Sequence, residues 1–355
     1  MGINSFHNFV KKKAPHVYRQ IHMSEYAGKR LAVDISGLIY KYKILNKDKW
    51  LDSFMYLILS LRKNRVHPIF VFDGEAPKEK DEEKTKRSQQ RKVLSEKVYK
   101  LRESLDAYYS SGQSNEVLVE EMKKIGTAPS LGKVIPINTS LLEKRFTQIE
   151  SQIVHWSDGE IEDLYKMFDL TGVQYITSPT EAETLCASMA LSGKVDGVVS
   201  NDSDVCAYGV KKFLYEINGM SETCIEIDHD ELLKALDLSK EEFLDFCIMC
   251  GCDYNDNIPG VGPINAYKLI KQYHSIDNLP ENYNTKILNH IRSRELFSIR
   301  HDFEDDVLSR EPTPNDLIEL YNFLKLRNSR VKYETIEKAF KPVEIIFEDT
   351  MLCDK

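Results

Sequence analysis

Apolar residues fall into two periodicities along this chain. Short dense runs at Leu31–Ile35, Val66–Asp73, Val173–Thr177, Val195–Ser200 and Lys212–Ile217 have the length and β-branched content of buried strands. Between and after them, apolar positions recur at helical spacing over 158–170, 179–192, 239–251, 262–273, 314–326 and 333–340. Strands alternating with helices predict an α/β fold, a mostly parallel central sheet covered by helices. Two stretches break the pattern. Residues 78–102 form a long polar tract without Gly or Pro, carrying ten Lys and Arg against five Asp and Glu, as a solvated helix would. Over 112–156 the amphipathic pieces are short and interrupted by Gly112, Gly126, Pro129, Gly132 and Pro136. The last fifteen residues, with Val343, Ile345, Ile346 and Phe347, read as a short strand or a docked tail.

The 355 residues carry 29% charged and 42% hydrophobic side chains, the balance of an ordinary soluble protein with one large core. Net charge is −8. That disfavours a polyanion partner only if the charge is evenly spread, and the tract at 78–102 is locally +5. Seven scattered cysteines suit free thiols in a reducing compartment. Cys247, Cys250 and Cys252 lack the second pair of ligands a zinc site requires. No run reaches the length of a bilayer span, and the basic N-terminus has no apolar stretch behind it, so an intracellular protein is expected.

The distribution of acids is more informative. Asp34 and Asp73 fall at the carboxyl ends of the first two strands, and Asp202 and Asp204 follow the fourth. Ligands of open α/β sheets gather at that edge. With Glu181, Glu183 and Asp253 they form a set of seven, whose hard oxygens suit divalent metal held close to a phosphodiester. Packed together without cations, such acids would raise one another's pKa. Each pair also has an ordinary explanation. Ser178-Pro179-Thr180-Glu181 makes a good capping box, and two residues apart on a helix means about 200°, so Glu181 and Glu183 share a site only if one lies at a frayed end. Asp202 and Asp204, read as extended chain, would point to one side.

Ile258-Pro259-Gly260-Val261-Gly262-Pro263 separates two predicted helices. Its glycines would let backbone approach a phosphate, and the following helix would aim free N–H groups at the same place. Lys268 and Lys271 favour that contact over a plain helix–helix turn.

With these residues identified, the chain resembles the flap endonuclease superfamily of structure-specific 5′ nucleases, and its flap endonuclease branch most. The matching pieces are the Met-Gly-Ile start, Val33-Asp34-Ile35-Ser36, Phe72-Asp73-Gly74, Ser178-Pro179-Thr180-Glu181-Ala182-Glu183, Asp202-Ser203-Asp204 and Gly251-Cys252-Asp253-Tyr254. The resemblance implies a two-metal-ion phosphodiesterase in which Asp34, Asp73, Glu181, Glu183, Asp202, Asp204 and Asp253 serve two Mg²⁺, with Mn²⁺ able to substitute. Lys80 and Arg87 would steer the scissile phosphate from a helical arch, and Tyr40 would stack on a nucleotide. Gly2, Gly260, Gly262, Lys268 and Lys271 would touch DNA, the last four within a helix–three-turn–helix duplex-binding element whose turn at 257–262 also holds K⁺. It divides the chain into a nuclease region at 1–111, an enlarged arch at 112–156, a second nuclease region at 157–340 with the duplex clamp at 239–273, and a tail at 341–355. The expected substrate is branched or junction DNA with a free 5′ end, met at replication, recombination or repair sites.

Three departures bear on this expectation. Asn201 stands where the family usually has Glu, Pro259 replaces a common basic residue, and 112–156 is longer than the usual connection. A sliding-clamp box is not found near the C-terminus, which suits a compact member such as that of a large DNA virus. A monomer is favoured over an oligomer. Alternatives of the same superfamily are a junction-resolving or break-repair nuclease and, lower, an exoribonuclease; outside enzymes, a silent DNA-binding scaffold.

Overall fold

The computed structural model describes residues 2–125, 138–150, 153–154, 157–303 and 310–341. Seven strands, β1 (Arg19–His22), β2 (Arg30–Asp34), β3 (His67–Phe72), β4 (Gln174–Thr177), β5 (Gly197–Val199), β6 (Lys212–Asn218) and β7 (Thr223–Asp228), form one sheet in the order β1-β7-β6-β5-β2-β3-β4. From β6 to β4 every neighbour is parallel, with Val33 paired to Phe70 on one side and to Val199 on the other. The mostly parallel sheet expected from the pattern is present. Strands β7 and β1 add an antiparallel margin that the pattern did not announce, since β1 exposes three of its four residues.

Side-chain alternation along the central strands sends apolar groups to both faces. Ala32, Ile69, Val71, Val198 and Phe213 enter one core, with helices Phe6–Lys13, Ala182–Leu191, Lys240–Cys250 and Pro263–Tyr273. Leu31, Val33, Phe70, Phe72, Val199 and Leu214 enter the other, with helices Ile35–Asn46, Trp50–Lys63, Asp158–Thr171 and Pro314–Leu326. Burial on both sides explains why these strands read as unbroken apolar runs.

The polar tract comprises a turn at Lys78–Lys80 and the first 22 residues of a 31-residue helix, Asp81–Ser111, ended by Gly112 in the left-handed region. Its second half packs Leu101 and Leu105 against Leu118, Met122 and Leu142 of helices Glu116–Lys124 and Thr139–Glu150, giving the cap a small core of its own. Among the described residues no helix is long and apolar enough to cross a membrane. The expected strand or tail at the C-terminus lies outside the described residues, apart from Lys341.

Candidate active site

All seven acids lie at or beyond the carboxyl ends of the parallel strands. Asp34 is the last residue of β2, Asp73 follows β3, Glu181 and Glu183 come after β4, and Asp202 and Asp204 come after β5. Asp253 arrives from the segment beyond helix Lys240–Cys250. Of these, Asp34, Glu181, Glu183, Asp202, Asp204 and Asp253 are buried.

Local structure differs from expectation at two places. Glu181 is not the reaching member of a capping box; it is itself the N-cap of helix Ala182–Leu191, while Ser178 Oγ donates to its carbonyl. Lying before the first helical turn, it turns the same way as Glu183. The chain from 202 to 204 is not extended. Asp204 opens a short helix, and its N–H donates to Asp202 Oδ1 at 3.0 Å. Gly2 abuts both acids: at φ +80° a side chain there would put its first carbon 2.0 Å from Asp202 Oδ1 and 2.7 Å from Asp204 Oδ1.

Hydroxyls hold one side of the site. Ser200 Oγ donates to Asp34 Oδ2 at 2.7 Å, Ser36 N–H to Asp34 Oδ1 at 3.1 Å, Ser36 Oγ to Asp73, and Ala182 N–H to Asp73 Oδ1 at 2.8 Å. Cations hold the other. The Lys80 ammonium pairs with Glu181, lies 2.9 Å from Asp253 Oδ2 and 3.8 Å from Glu183 Oε1. Arg87 donates to Asp253 Oδ1 at 2.8 Å and to Glu83 at 2.9 Å.

The electrostatics follow from acids crowded together with two cations that reach only Glu181, Glu183 and Asp253. Burial, then Asp73, pushes Asp34 up to about 7 against the Ser200 hydrogen bond. Burial likewise raises Glu183, where Lys80 opposes and Asp202 reinforces it; Asp202, reinforced by Asp253; and Asp204, reinforced by Asp202 and Asp253. Asp253 goes the other way. Its burial is outweighed by Lys80 and Arg87, which keep it below the usual carboxylate range. Burial would depress Lys80, but Glu183, Glu181 and Asp253 carry it above its ordinary value.

This pairing overturns the metal expectation. Among the described residues no three His, Cys, Asp or Glu side chains are arranged to hold a metal ion. Both oxygens of Asp204 and Oε1 of Glu183 lack a hydrogen-bond donor, whereas Asp253 Oδ2 faces the Lys80 ammonium, which stands among them. The two-metal-ion phosphodiesterase and its Mg²⁺ or Mn²⁺ cofactors are therefore corrected, as the residues in this arrangement do not fit them. The K⁺ expected at 257–262 goes with them. Carbonyls of that turn are spent internally, Ile258 O on Val261 N–H and Asn257, Val261 O on Asn257, and Gly260 O on Asn265.

The remaining expected residues lie on other elements. Tyr40, on helix Ile35–Asn46, accepts from Arg91 at 3.1 Å, a bridge from the arch helix to the body. Arg91 was missed, although its four-residue step from Arg87 places both on one helix face. Lys86 adds a second strap to Asp256 at 3.0 Å. Gly260, at φ +79°, and Gly262, the N-cap of helix Pro263–Tyr273, face open space. Lys268 is exposed, whereas Lys271 pairs at the surface with Asp237 at 2.7 Å.

The model of the XPG N-terminal domain matches residues 1–94, and that of the XPG I-region matches 172–253. A probable RAD2-like endonuclease of Invertebrate iridescent virus 6 is 34% identical over 84% of this chain and 79% of its own length. The chain belongs to the XPG/RAD2–flap endonuclease superfamily of structure-specific nucleases. Flap endonuclease 1 of Lodderomyces elongisporus is 28% identical over 79% of this chain and 68% of its own. The fold is shared with the catalytic core of Rad2 solved with DNA substrate, at a TM-score of 0.59 and 21% identity, over 95% of this chain and 98% of that one.

Proposed function

We propose that this superfamily member is a structure-specific 5′ nuclease that hydrolyses a phosphodiester in branched DNA, near a single-strand/double-strand junction with a free 5′ end. The observation that carries the reading is Lys80, from the turn that leads into helix Asp81–Ser111, and Arg87, on that helix, reaching into a pocket of seven acids at the sheet edge, six of them buried. A phosphate entering there meets two cations already positioned, and groups placed before reaction add to catalysis without reorganisation. The Gly260–Gly262 turn, open to solvent, would hold the duplex at a fixed distance from that pocket. Relatives named RAD2-like endonuclease and flap endonuclease 1 support this substrate class. On this reading 1–111 and 157–340 supply the nuclease body, 112–156 the enlarged arch and 239–273 the clamp. The site of action is intracellular, at DNA replication or repair.

A junction-resolving activity is the second reading. It is favoured by the end of helix Asp81–Ser111, which with helices Glu116–Lys124 and Thr139–Glu150 has a separate core and so forms a body larger than a simple arch. The deciding experiment is a cleavage panel of 5′ flap, 5′ overhang, bubble, gapped, blunt and four-way-junction DNA, each with a divalent-metal salt and with chelator. Preference for a free 5′ end, with cutting within a nucleotide or so of the junction, is expected. Faster symmetrical cutting of intact four-way junctions would replace the flap reading, and no cutting of any DNA would remove the nuclease reading.

A further inference from the structure

Tyr254 is a buried ionisable residue to which the proposed reaction gives no task. Its ring sits edge-on to Phe297 at 5.3 Å between centroids, a site that phenylalanine would fill equally well. The hydroxyl nevertheless points at the acid pocket and donates to Glu181 Oε2 at 2.8 Å. Behind it stand Tyr208 Oη at 3.2 Å and, 2.8 Å further on, Thr184 Oγ1. Each hydroxyl has one proton, and a carboxylate can only accept. The direction is therefore fixed: Thr184 donates to Tyr208, Tyr208 to Tyr254 and Tyr254 to Glu181. Aligned hydroxyls in a dry interior polarise one another and strengthen the last bond.

We infer that Tyr254 is a positioning residue that holds Glu181 in place independently of Lys80, an inference that rests on the proposed nuclease reading. Glu181 is gripped from two sides, Oε1 by Lys80 and Oε2 by Tyr254. The two grips differ in mobility. Lys80 belongs to the arch and is the cation a scissile phosphate would draw away. Tyr254 and Tyr208 are buried in the core that carries the sheet. When Lys80 turns to the substrate, a long side chain that lost its only partner would sample several rotamers. The tyrosine chain keeps the carboxylate where it was.

The test compares Tyr254→Phe, Tyr208→Phe and Phe297→Leu with wild type in single-turnover cleavage of 5′-flap DNA, in affinity for the same DNA with an uncleavable linkage, and in melting temperature. One hydrogen bond to a charged group corresponds to about tenfold in rate, so Tyr254→Phe should cut about tenfold more slowly with affinity within about twofold. Tyr208→Phe should lose less, because it acts through Tyr254. Phe297→Leu should melt lower while cutting at the wild-type rate, which a purely structural role for the tyrosine would not produce. Added to Glu181→Gln, Tyr254→Phe should cost nothing further, since the two share one task. Wild-type cutting by Tyr254→Phe, or an equal rate loss in Phe297→Leu, would overturn the inference. If the wild-type protein cuts no branched DNA, the nuclease reading fails and crystal structures of Lys80→Ala with and without Tyr254→Phe decide the positioning claim: Glu181 in the same single rotamer in both sinks it.

Discussion

Two groups of buried acids on the same sheet behave in opposite ways. Glu226, on β7, is 3% exposed, yet its pKa lies below the usual range. Burial alone would raise it, but Tyr26 donates at 2.7 Å, Lys212 at 2.9 Å and Arg19 at 3.0 Å, so one carboxylate has three donors. In the pocket at the other strand ends, seven carboxylates divide Lys80 and Arg87, and Asp34, Glu183, Asp202 and Asp204 are all raised. Burial is common to both. The ratio of donors to acids sets the sign. A saturated acid such as Glu226 ties β1, β6 and β7 together; an undersupplied cluster weakens the fold and is retained for what it does to a ligand.

The largest expected effect divides the two regions by activity. Asp204 is fully buried and neither oxygen has a donor. Asp204→Asn should lower cleavage at least about a hundredfold while raising the melting temperature by a few degrees, because a buried acid whose charged form has no donor is replaced by a group that never ionises. A variant that cuts normally, or melts lower than wild type, would place Asp204 with the structural acids.

Glu226→Gln is the mirror experiment. It should leave cutting unchanged and reduce unfolding free energy by about 2 kcal/mol, since hydrogen bonds to a charged group are weakened while Arg19 remains largely in water. Denaturant titration measures the loss. Unaltered stability would mean that three donors around one carboxylate contribute no more than a neutral amide does.

The smallest effect concerns pH. Asp34 is raised from 3.8 to about 7, so between those values the folded protein binds a proton that the unfolded chain has released. Its contribution to stability is complete below about pH 4 and is lost as pH rises through about 7. Asp253, held low, works the other way and only at more acidic pH. Melting temperature should therefore drift down from about pH 5 to 8, and Asp34→Asn should flatten that drift. An unchanged slope in the variant would assign the drift to Glu183, Asp202 and Asp204 instead.

Much of this architecture is legible locally. The central strands bury both faces, so their apolar runs stand out in sequence, and Asp34 and Asp73 mark their ends without any knowledge of the fold. Helices at 158–171, 240–250 and 263–273 match the 158–170, 239–251 and 262–273 expected from apolar spacing. The short edge strand β1 and its partner β7 gave no comparable signal, because exposed residues on one strand match no period. Nor does spacing reveal a turn at 202–204 in place of extended chain, since a two-residue offset fits both until Asp202 accepts the Asp204 N–H.

The sequence by itself determined that Asp34, Asp73, Asp202 and Asp204 reach the carboxyl edge of the sheet, because periodicity and strand ends are set by near neighbours. Only tertiary structure decided what those groups do to one another. Lys80 lies 101 residues from Glu181, and Arg87 lies 166 from Asp253. Whether a carboxylate meets an ammonium, a hydroxyl or another carboxylate depends on distances of a few ångströms between distant segments. Those distances place Lys80 among the acids in the arrangement that does not fit the expected metals. They also bring Tyr254 up behind Glu181, a contact that no local pattern could announce.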